Sequence, residues 1–281
     1  MTSNFIEIFK NIASNSDVVN DENAIFERIE EAFANREFKT HLQFIVNNKT
    51  KAVSSAEALS RWEISADEIV SPGLYLPLIE KAGLSAKFDY YMFESVCAKL
   101  AQWKNTEFGS VTVSCNFSRI TLSENDFIET VTAIADKYDF DRKNLLIEIT
   151  ESTMERNVEV ALDNVVRAKE LGFRIALDDV GSGYTSLICL CKYPVDIIKI
   201  DREVLLLASE TRGKKLLLGI IALSHFLNLE VVCEGVETSE QNDLVSNSDC
   251  DYIQGWYYFK ALDAKKAEEC AREYAEKLAK N

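Results

Sequence analysis

The strongest constraint on the fold is a repeated pattern in which a short apolar run ends in an acid or an amide. The run Phe173–Leu177 ends in Asp178 and Asp179, and Gly181 and Gly183 then allow backbone turns that other residues resist. Similar apolar runs end at Asn116, Glu151, Asp201, Glu234 and Gln254. A barrel of parallel strands gathers its strand ends on one face, where the chemistry of such folds lies. The repetition therefore predicts a barrel with its site on that face.

Strand and helix patterns alternate along the rest of the chain. Phe38–Val46 and Ala52–Trp62 are predicted as the first two strands, joined by a turn at Asn47–Lys49. The further predicted strands are Val111–Asn116, Leu145–Ile149, Phe173–Leu177, Asp196–Ile200, Leu229–Cys233 and Tyr252–Ile253. The predicted helices are Ala24–Arg36, Leu76–Ala82, Ala86–Trp103, one from Ser123–Asp126 to Tyr138, Val158–Leu171, Leu205–Leu227, Ser239–Val245 and Ala264–Ala279. This alternation indicates an α/β barrel or an open α/β sheet, and chemistry at so many strand ends favours the barrel.

Length and composition predict one large domain with a short extension. Barrels of roughly 250 residues are routinely one domain, so the chain is interpreted as an extension at residues 1–21 and a domain at residues 22–281. The seven cysteines form no CxxC pair and several lie in apolar runs, which indicates buried thiols in a reducing compartment. Neither a signal peptide nor a membrane-spanning stretch is recognised, so we expect a cytoplasmic protein that does not bind a membrane.

The charge balance limits the class of ligand. The chain has 31 basic and 46 acidic residues, a net charge of −15, and no basic patch along the sequence. Binding of a nucleic acid polymer depends mostly on phosphate neutralisation by lysine and arginine, so such a partner is not expected. A small anionic ligand stays possible if metal ions reverse the local charge.

A set of oxygen-donor side chains predicts a metal site. Two neighbouring carboxylates such as Asp178 and Asp179 repel one another unless a cation lies between them. Oxygen donors suit Mg²⁺ or Mn²⁺ rather than Zn²⁺, and the chain has only His41 and His225 as histidines. Two cations sharing one aspartate would generate hydroxide and hold a phosphoryl group. The alternative for each acid is a surface charge or an ion pair. The candidate ligands are Glu57, Asn116, Glu148, Asp178, Asp179 and Glu234.

Two basic residues accompany these acids. Lys199 lies within an apolar strand, where it needs a counter-charge or a depressed pKa. It either orients or deprotonates a metal-bound water, or forms a structural ion pair with Asp201 or Asp178. Arg61 follows Glu57 by four residues on a predicted strand and therefore lies on the same face. Its guanidinium either holds a phosphate with two hydrogen bonds or makes a surface salt bridge.

The ordered motifs of the chain resemble one known family. Glu57-Ala-Leu59 followed by Arg61-Trp62 is similar to the signature of the EAL-domain phosphodiesterases, which hydrolyse cyclic di-GMP. Further matches follow in the family's order over about residues 24–265: Asn116-Phe-Ser118, Glu148-Ile-Thr-Glu151, Asp178-Asp-Val-Gly-Ser-Gly-Tyr184, Lys199-Ile-Asp201, Glu234-Gly-Val-Glu237 and Gln254-Gly255. The resemblance implies a modified (β/α)₈ TIM-like barrel, the EAL fold, and metal-dependent hydrolysis of cyclic di-GMP to linear pGpG.

The resemblance also implies roles for individual residues. Two Mg²⁺ or Mn²⁺ ions per site are expected. Glu57, Asn116, Glu148 and Asp178 would hold the first, and Asp178, Asp179 and Glu234 the second. Lys199 would assist the attacking water, and Glu151 would anchor the glycine loop after Asp179. The residues expected to contact or frame the dinucleotide are Gln43, Leu59, Arg61, Glu237 and Gln254. A homodimer near the glycine loop is expected by analogy.

The chain departs from the family pattern at four places. The usual Gln-Pro reads Gln43-Phe44, the second leucine after the signature is Ser60, the usual Asp-Phe-Gly contains Val180, and the proline expected near Lys260-Ala261 is missing. None of these changes removes a proposed ligand. Val180 could nevertheless loosen the glycine loop and Phe44 could reshape the guanine pocket, so a second hypothesis is an EAL-fold cyclic di-GMP receptor or interaction module with weak or absent turnover. A third is a barrel enzyme with one Mg²⁺ and a strand-end lysine base. An unidentified regulatory protein is a possible further partner.

Overall fold

Eight strands of the described chain close into a barrel. The computed structural model describes residues 22–65, 68–150, 158–182 and 187–280. Its strands are β1 (Phe38–Asn47), β2 (Val53–Ser65), β3 (Glu68–Val70), β4 (Thr112–Asn116), β5 (Leu145–Thr150), β6 (Arg174–Val180), β7 (Ile197–Ile200), β8 (Glu230–Cys233), β9 (Tyr252–Ile253) and β10 (Leu262–Asp263). The barrel order is β1-β9-β8-β7-β6-β5-β4-β2, closed by the pairing of β1 with β2. The predicted barrel is confirmed.

One barrel strand runs against the others. β1 is antiparallel to both of its barrel neighbours, β2 and β9, whereas the remaining barrel pairs are parallel. The cause is a tight turn between β1 and β2, in which Asn47 Oδ1 accepts hydrogen bonds from the backbone N–H groups of Lys49 and Thr50. A short turn of this kind permits only antiparallel pairing. This antiparallel strand distinguishes the structure from a (β/α)₈ barrel in which all eight strands are parallel.

Helices surround the barrel and begin or end at identifiable residues. Their bounds are α1 (Glu22–Ala34), α2 (Pro72–Lys81), α3 (Ser85–Trp103), α4 (Arg119–Leu122), α5 (Phe127–Ala135), α6 (Val158–Glu170), α7 (Leu187–Lys192), α8 (Arg202–Leu207), α9 (Thr211–Phe226), α10 (Ser239–Ser246) and α11 (Ala264–Leu278). Ser118 caps α4 by accepting a hydrogen bond from Thr121 N. In the part of the chain that the structure describes, no helix combines the length and the apolar character that crossing a membrane requires.

The single helix predicted over Leu205–Leu227 is wrong, because the structure has two helices there, α8 and α9. Asp201 caps α8 early, with its Oδ1 accepting from Glu203 N at 2.8 Å. Gly213 lets the start of α9 approach the end of α8 closely, since a Cβ at this position would lie 1.9 Å from Leu207 O. A local apolar periodicity cannot reveal this break, because it depends on that close approach. β3 and α4 were also not predicted, and α5 ends at Ala135 rather than Tyr138.

The main core fills the layer between the barrel and the helices. Aromatic rings concentrate on one side, where Phe38 packs against Phe33, Trp62, Tyr75 and Phe88 with centroid distances of 5.0 to 5.7 Å. Side chains of successive strand residues alternate between this layer and the barrel interior. The alternation leaves the interior free for the polar side chains at the strand ends.

Candidate active site

Lys199 is the centre of a cluster of buried carboxylates inside the barrel. Its side chain is 2% exposed. The Nζ atom lies 2.7 Å from Glu234 Oε1, 3.0 Å from Glu148 Oε1, 3.2 Å from Asp178 Oδ1 and 3.3 Å from Glu57 Oε2. These acids come from β2, β5, β6 and the first position after β8. The structure thus brings four of the predicted acids together, whereas the strand-end acid Asp201 caps α8 instead. Of the two ion pairs considered for Lys199, the one with Asp178 is present.

The cluster carries more negative than positive charge, and this affects its titration. Burial and the neighbouring acids raise the pKa of Glu148 and Asp178 despite the attraction of Lys199. The same causes raise the pKa of Glu234 to about 8. Burial alone would lower the pKa of Lys199, but the surrounding carboxylates outweigh it and raise that pKa well above its usual value. One ammonium therefore does not compensate four buried carboxylates.

Glu57 differs from the other acids because two amides support it. Asn116 Nδ2 donates to Glu57 Oε1 at 3.1 Å, and Gln254 Nε2 donates to Glu57 Oε2 at 2.6 Å. Burial tends to raise the pKa of Glu57, but Lys199 and these two amides outweigh it and lower that pKa. Gln43 extends the network, because its Oε1 accepts from Gln254 Nε2 at 3.4 Å and its Nε2 donates to Phe259 O at 3.0 Å. Glu57 and Asn116 were predicted as metal ligands and Gln43 and Gln254 as contacts of the dinucleotide, and the structure places the four side chains in one hydrogen-bond network.

The site fits a divalent cation. Glu57, Glu148 and Asp178 each offer a carboxylate oxygen, and these oxygens lie within 4.8 Å of one another. No described residue donates a hydrogen bond to the buried Glu148 Oε2. An uncompensated set of buried oxygen donors is the environment that Mg²⁺ or Mn²⁺ stabilises. This triad could therefore hold a metal ion.

Asp179 lies at the edge of the cluster in an unusual backbone conformation. Its φ is +58°, in the left-handed region that few non-glycine residues adopt. Asp179 N donates to Asp178 Oδ1 at 2.9 Å, which fixes the two acids relative to one another. Burial and the charge of Asp178 raise the pKa of Asp179 to about 6. Left-handed backbone at a non-glycine residue is costly and is found most often at functional sites.

The residues predicted to frame a ligand do not all join the acid cluster. Leu59 and Asn116 line a groove of about 610 Å³ that extends toward α2 and α3. Arg61 Nη1 donates to the carbonyl of Ser60 at 2.7 Å. Glu237 accepts a hydrogen bond from Arg202 Nη2 at 2.8 Å. Their predicted contacts with a ligand stay predictions. Glu151, the extension at residues 1–21 and the glycine-loop residues 183–186 lie outside the described residues.

Two of the departures from the family pattern point away from the acid cluster. Phe44 is 1% exposed and packs in the outer core against Trp103, Phe108 and Phe259, with centroid distances of 5.7 to 6.0 Å. Phe44 and Gln43 are neighbours on a strand, so their side chains point to opposite faces. Ser60 Oγ accepts a hydrogen bond from the hydroxyl of Tyr75 at 2.6 Å. Phe44 therefore packs against Phe259, whose carbonyl accepts the hydrogen bond from Gln43.

Sequence reasoning missed Asp89, a buried acid beside the groove. Asp89 Oδ2 accepts hydrogen bonds from Ser118 N at 2.9 Å and from Thr121 Oγ1 at 2.5 Å. Burial raises the pKa of Asp89 to about 6. These bonds hold the segment that follows Asn116. The signal in the sequence is an acid next to Phe88 in a helix whose apolar positions face the core.

Comparison with known proteins identifies the family. The EAL domain model matches residues 27–261, which is most of the chain. The chain belongs to the EAL domain family. It is 28% identical to the bifunctional diguanylate cyclase/cyclic di-GMP phosphodiesterase MucR of Pseudomonas aeruginosa over 85% of this chain and 35% of MucR. It is 29% identical to the oxygen sensor protein DosP of Escherichia coli over 85% of this chain and 30% of DosP.

A solved structure of the family supports the assignment of the fold. The PaMucR phosphodiesterase in complex with c-di-GMP superposes with a TM-score of 0.80 and 28% sequence identity, covering 86% of this chain and 98% of that chain. The EAL chain described here spans about a third of the length of the curated relatives it matches. The likeness therefore concerns the EAL domain of those proteins and not their other parts.

Proposed function

We propose that this EAL domain is a phosphodiesterase that hydrolyses cyclic di-GMP to linear pGpG with two Mg²⁺ or Mn²⁺ ions. The observation that carries the proposal is the set of four buried carboxylates around Lys199 at the carboxyl ends of the barrel strands. The complex of the similar PaMucR phosphodiesterase with c-di-GMP supports the choice of ligand. Every proposed metal ligand and the lysine are present in this chain.

The metal ligands divide into two overlapping groups in this proposal. Glu57, Asn116, Glu148 and Asp178 would hold the first ion, and Asp178, Asp179 and Glu234 would hold the second. Bound divalent cations activate a water as nucleophile and stabilise the charge of the phosphoryl group. The backbone N–H of Asp179 keeps Asp178 oriented through the 2.9 Å hydrogen bond to its Oδ1. The excess of buried negative charge favours cation binding at this position.

Lys199 would orient the attacking water. Its Nζ lies 3.2 Å from Asp178 Oδ1 and 2.7 Å from Glu234 Oε1, between two of the proposed ligands. An ammonium group in this position can donate a hydrogen bond to a water held by the same acids. The surrounding strands bury the lysine almost completely, so its direction is fixed before the substrate binds. Preorganised donors of this kind need no rearrangement during the reaction.

The groove next to the cluster would accept one nucleoside of the dinucleotide. It begins at Leu59 and Asn116 and is lined further on by Leu76, Phe88 and Met92. Apolar and aromatic walls with a few polar groups are typical of small-molecule sites. Arg61, Gln43, Glu237 and Gln254 would contribute polar contacts. A phosphodiester of a ligand in this groove would then lie over the acids.

A homodimer is part of the proposal. Leu206, Leu207 and Leu216 on α8 and α9 are about half exposed, at 49%, 56% and 49%. An apolar surface of this kind favours association between proteins. We further propose a cytoplasmic location, because buried free cysteines are typical of a reducing compartment, and regulation by an unidentified partner protein. Light scattering on the purified chain would give twice the chain mass if the dimer forms and the chain mass if it does not.

The deciding experiment is product analysis. Purified protein is incubated with cyclic di-GMP and either Mg²⁺ or Mn²⁺, and the products are separated by chromatography. We expect pGpG from the wild type and a turnover lower by about 10³-fold or more for Asp178→Asn, because several kcal/mol of charge stabilisation is lost. Saturable binding of intact cyclic di-GMP without product would identify a receptor instead. Saturation at one metal ion per chain would contradict the two-ion site and favour the single-Mg²⁺ enzyme.

A further inference from the structure

The barrel interior contains a polar cavity on the side opposite to the groove. Its volume is about 210 Å³, and Glu148 and Lys199 form one end of its lining. The other end includes Ser110, which is exposed at the face where the parallel strands begin. The cavity thus extends from the acid cluster toward the face of the barrel where the parallel strands begin, and none of the proposed metal ligands lies on that face. We call it the floor cavity.

The floor cavity is lined by both polar and apolar side chains. Thr112, Ser114 and Asn116 alternate along β4 and share its inward face. The register pairs Ser114 with Glu57 on β2. Much of the remaining lining is apolar, since Ile45, Leu146, Ile197 and Val232 belong to a small buried cluster in the barrel. The hydroxyl groups of Thr112 and Ser114 therefore lie along β4 below Asn116, which is one of the proposed metal ligands.

Several polar atoms that line this cavity lack a partner in the protein. Within the described residues, Ser54 Oγ, Ser114 Oγ and Glu148 Oε2 have no hydrogen-bond partner. Ser114 is 2% exposed and Glu148 is 1% exposed. A buried hydroxyl or carboxylate oxygen is costly unless a protein group or an ordered water bonds to it. A cavity with polar walls and room for several molecules of about 30 Å³ each is suited to water.

We infer that the floor cavity is a binding site for ordered water and that Ser114 is a positioning residue for Glu148. A water hydrogen-bonded to both Ser114 Oγ and Glu148 Oε2 would fix the rotation of the carboxylate. Glu148 Oε1, which is 3.0 Å from Lys199 Nζ, then stays directed at the acid cluster. The role of Ser114 rests on the proposed metal site, because Glu148 is one of its acids. Groups that orient metal ligands commonly change metal affinity by 10- to 100-fold when they are replaced.

The test compares two substitutions that differ only in a hydroxyl group. Ser114→Thr keeps the hydroxyl, whereas Ser114→Val has nearly the same shape without it. Binding of Mn²⁺ is measured by electron paramagnetic resonance, without substrate, so that the result does not depend on turnover. We expect Ser114→Val to weaken Mn²⁺ binding about tenfold or more and Ser114→Thr to weaken it much less. Ser114→Ala, which adds no volume, provides a second comparison if the valine variant does not fold.

The water itself is tested separately in a high-resolution crystal structure of the wild type. A water bonded to both Ser114 Oγ and Glu148 Oε2 would support the inference, and a cavity without such a water would overturn it. Equal losses of Mn²⁺ affinity in the threonine and valine variants would overturn the role of Ser114. A wild type that binds no Mn²⁺ would refute the metal site and with it the positioning role, whereas the crystal structure would still decide whether water binds.

Discussion

The two flanks of the acid cluster are built differently, although both are buried and both contact Lys199. On one flank Glu57 accepts hydrogen bonds from Asn116 and Gln254. We call this the amide flank. On the other, the carboxylate flank, Glu148 and Glu234 have Lys199 as their nearby cation, and their pKa values are raised by burial. The pKa of Glu57 is lowered, because its amides and Lys199 together outweigh its burial.

The difference shows which part of the site is organised before a cation binds. The amide flank holds its carboxylate by neutral donors that are themselves fixed, since Gln43 and Gln254 belong to one network. The carboxylate flank depends on Lys199 and on cations, because acids cannot donate hydrogen bonds to one another while ionised. We therefore expect the carboxylate flank to respond most to loss of the lysine, and the amide flank to respond most to loss of an amide.

Replacing Lys199 should have the largest effect. Lys199→Met leaves four buried carboxylates without their ammonium, and breaking a buried ion pair in this way typically costs about 3–5 kcal/mol. We expect the free energy of unfolding of the metal-free protein to fall by about this amount, measured by urea denaturation in the presence of a chelator. Turnover of cyclic di-GMP should fall more than its binding.

The control for this variant is Lys137→Met, which breaks an exposed pair with Glu94. Exposed pairs contribute roughly 0–1 kcal/mol, so this control should be nearly neutral. If Lys199→Met were as stable as Lys137→Met without metal, the carboxylate flank would not depend on the lysine.

Asp89 offers a second test, because it supports the amide flank from outside. Its pKa is raised to about 6 by burial, with a further contribution from Glu124. The folded state therefore holds a proton that the unfolded state loses near pH 4, and stability falls as the pH rises from about 4 to about 6. Asp89→Asn removes this dependence. Between pH 4 and pH 6 the free energy of unfolding of the variant should rise by about 3 kcal/mol relative to that of the wild type, because two pKa units correspond to 1.36 kcal/mol each.

The measurement is the free energy of unfolding at several pH values for the wild type and Asp89→Asn. A constant difference between the two proteins from pH 4 to pH 7 would show that the carboxyl of Asp89 does not titrate in this range. A variant that also lost Mn²⁺ affinity would show that Asp89 acts on Asn116 through Ser118, whose N–H it accepts.

The sequence was sufficient to predict the barrel, its strand ends and the acids that converge there. Alternation of apolar residues is a local property, and parallel strands bring their ends together whatever the details of packing. The family resemblance further predicted that the barrel is a modified one and that two metal ions bind to it. The break between α8 and α9 was beyond such reasoning, because it depends on the contact of Gly213 with Leu207.

The asymmetry of the site could not be predicted from the sequence either. Gln254 and Glu57 are 197 positions apart, and no spacing rule connects them. Nor does the sequence show that Glu148 Oε2 lacks a donor in the described chain. Partners of this kind are fixed by the closure of the barrel, which brings β9 next to β1 and β1 next to β2. A sequence pattern therefore identifies the ligands, whereas three-dimensional closure decides which ligand is supported.

Loss of one amide should have the smallest but most specific effect. Gln254→Leu removes the 2.6 Å hydrogen bond to Glu57 Oε2 and leaves a buried carboxylate oxygen with Lys199 alone. We expect Mn²⁺ affinity to fall by about 10- to 100-fold, as for other groups that orient metal ligands. Titration calorimetry of the substrate-free protein provides the measurement, and Gln102→Leu, at an exposed position of α3, is the matched control.

The outcome for Gln254→Leu separates the two flanks directly. If the amides hold Glu57 in place, the pKa of Glu57 is higher in the variant than in the wild type and approaches the pKa values of Glu148 and Glu234. The two flanks then become alike. Unchanged Mn²⁺ affinity would mean that Lys199 alone orients Glu57, and that the amide flank is no better organised than its counterpart. Because Gln254 is also a predicted ligand contact, the measurement is made without cyclic di-GMP, so that a change in metal affinity cannot arise from the nucleotide.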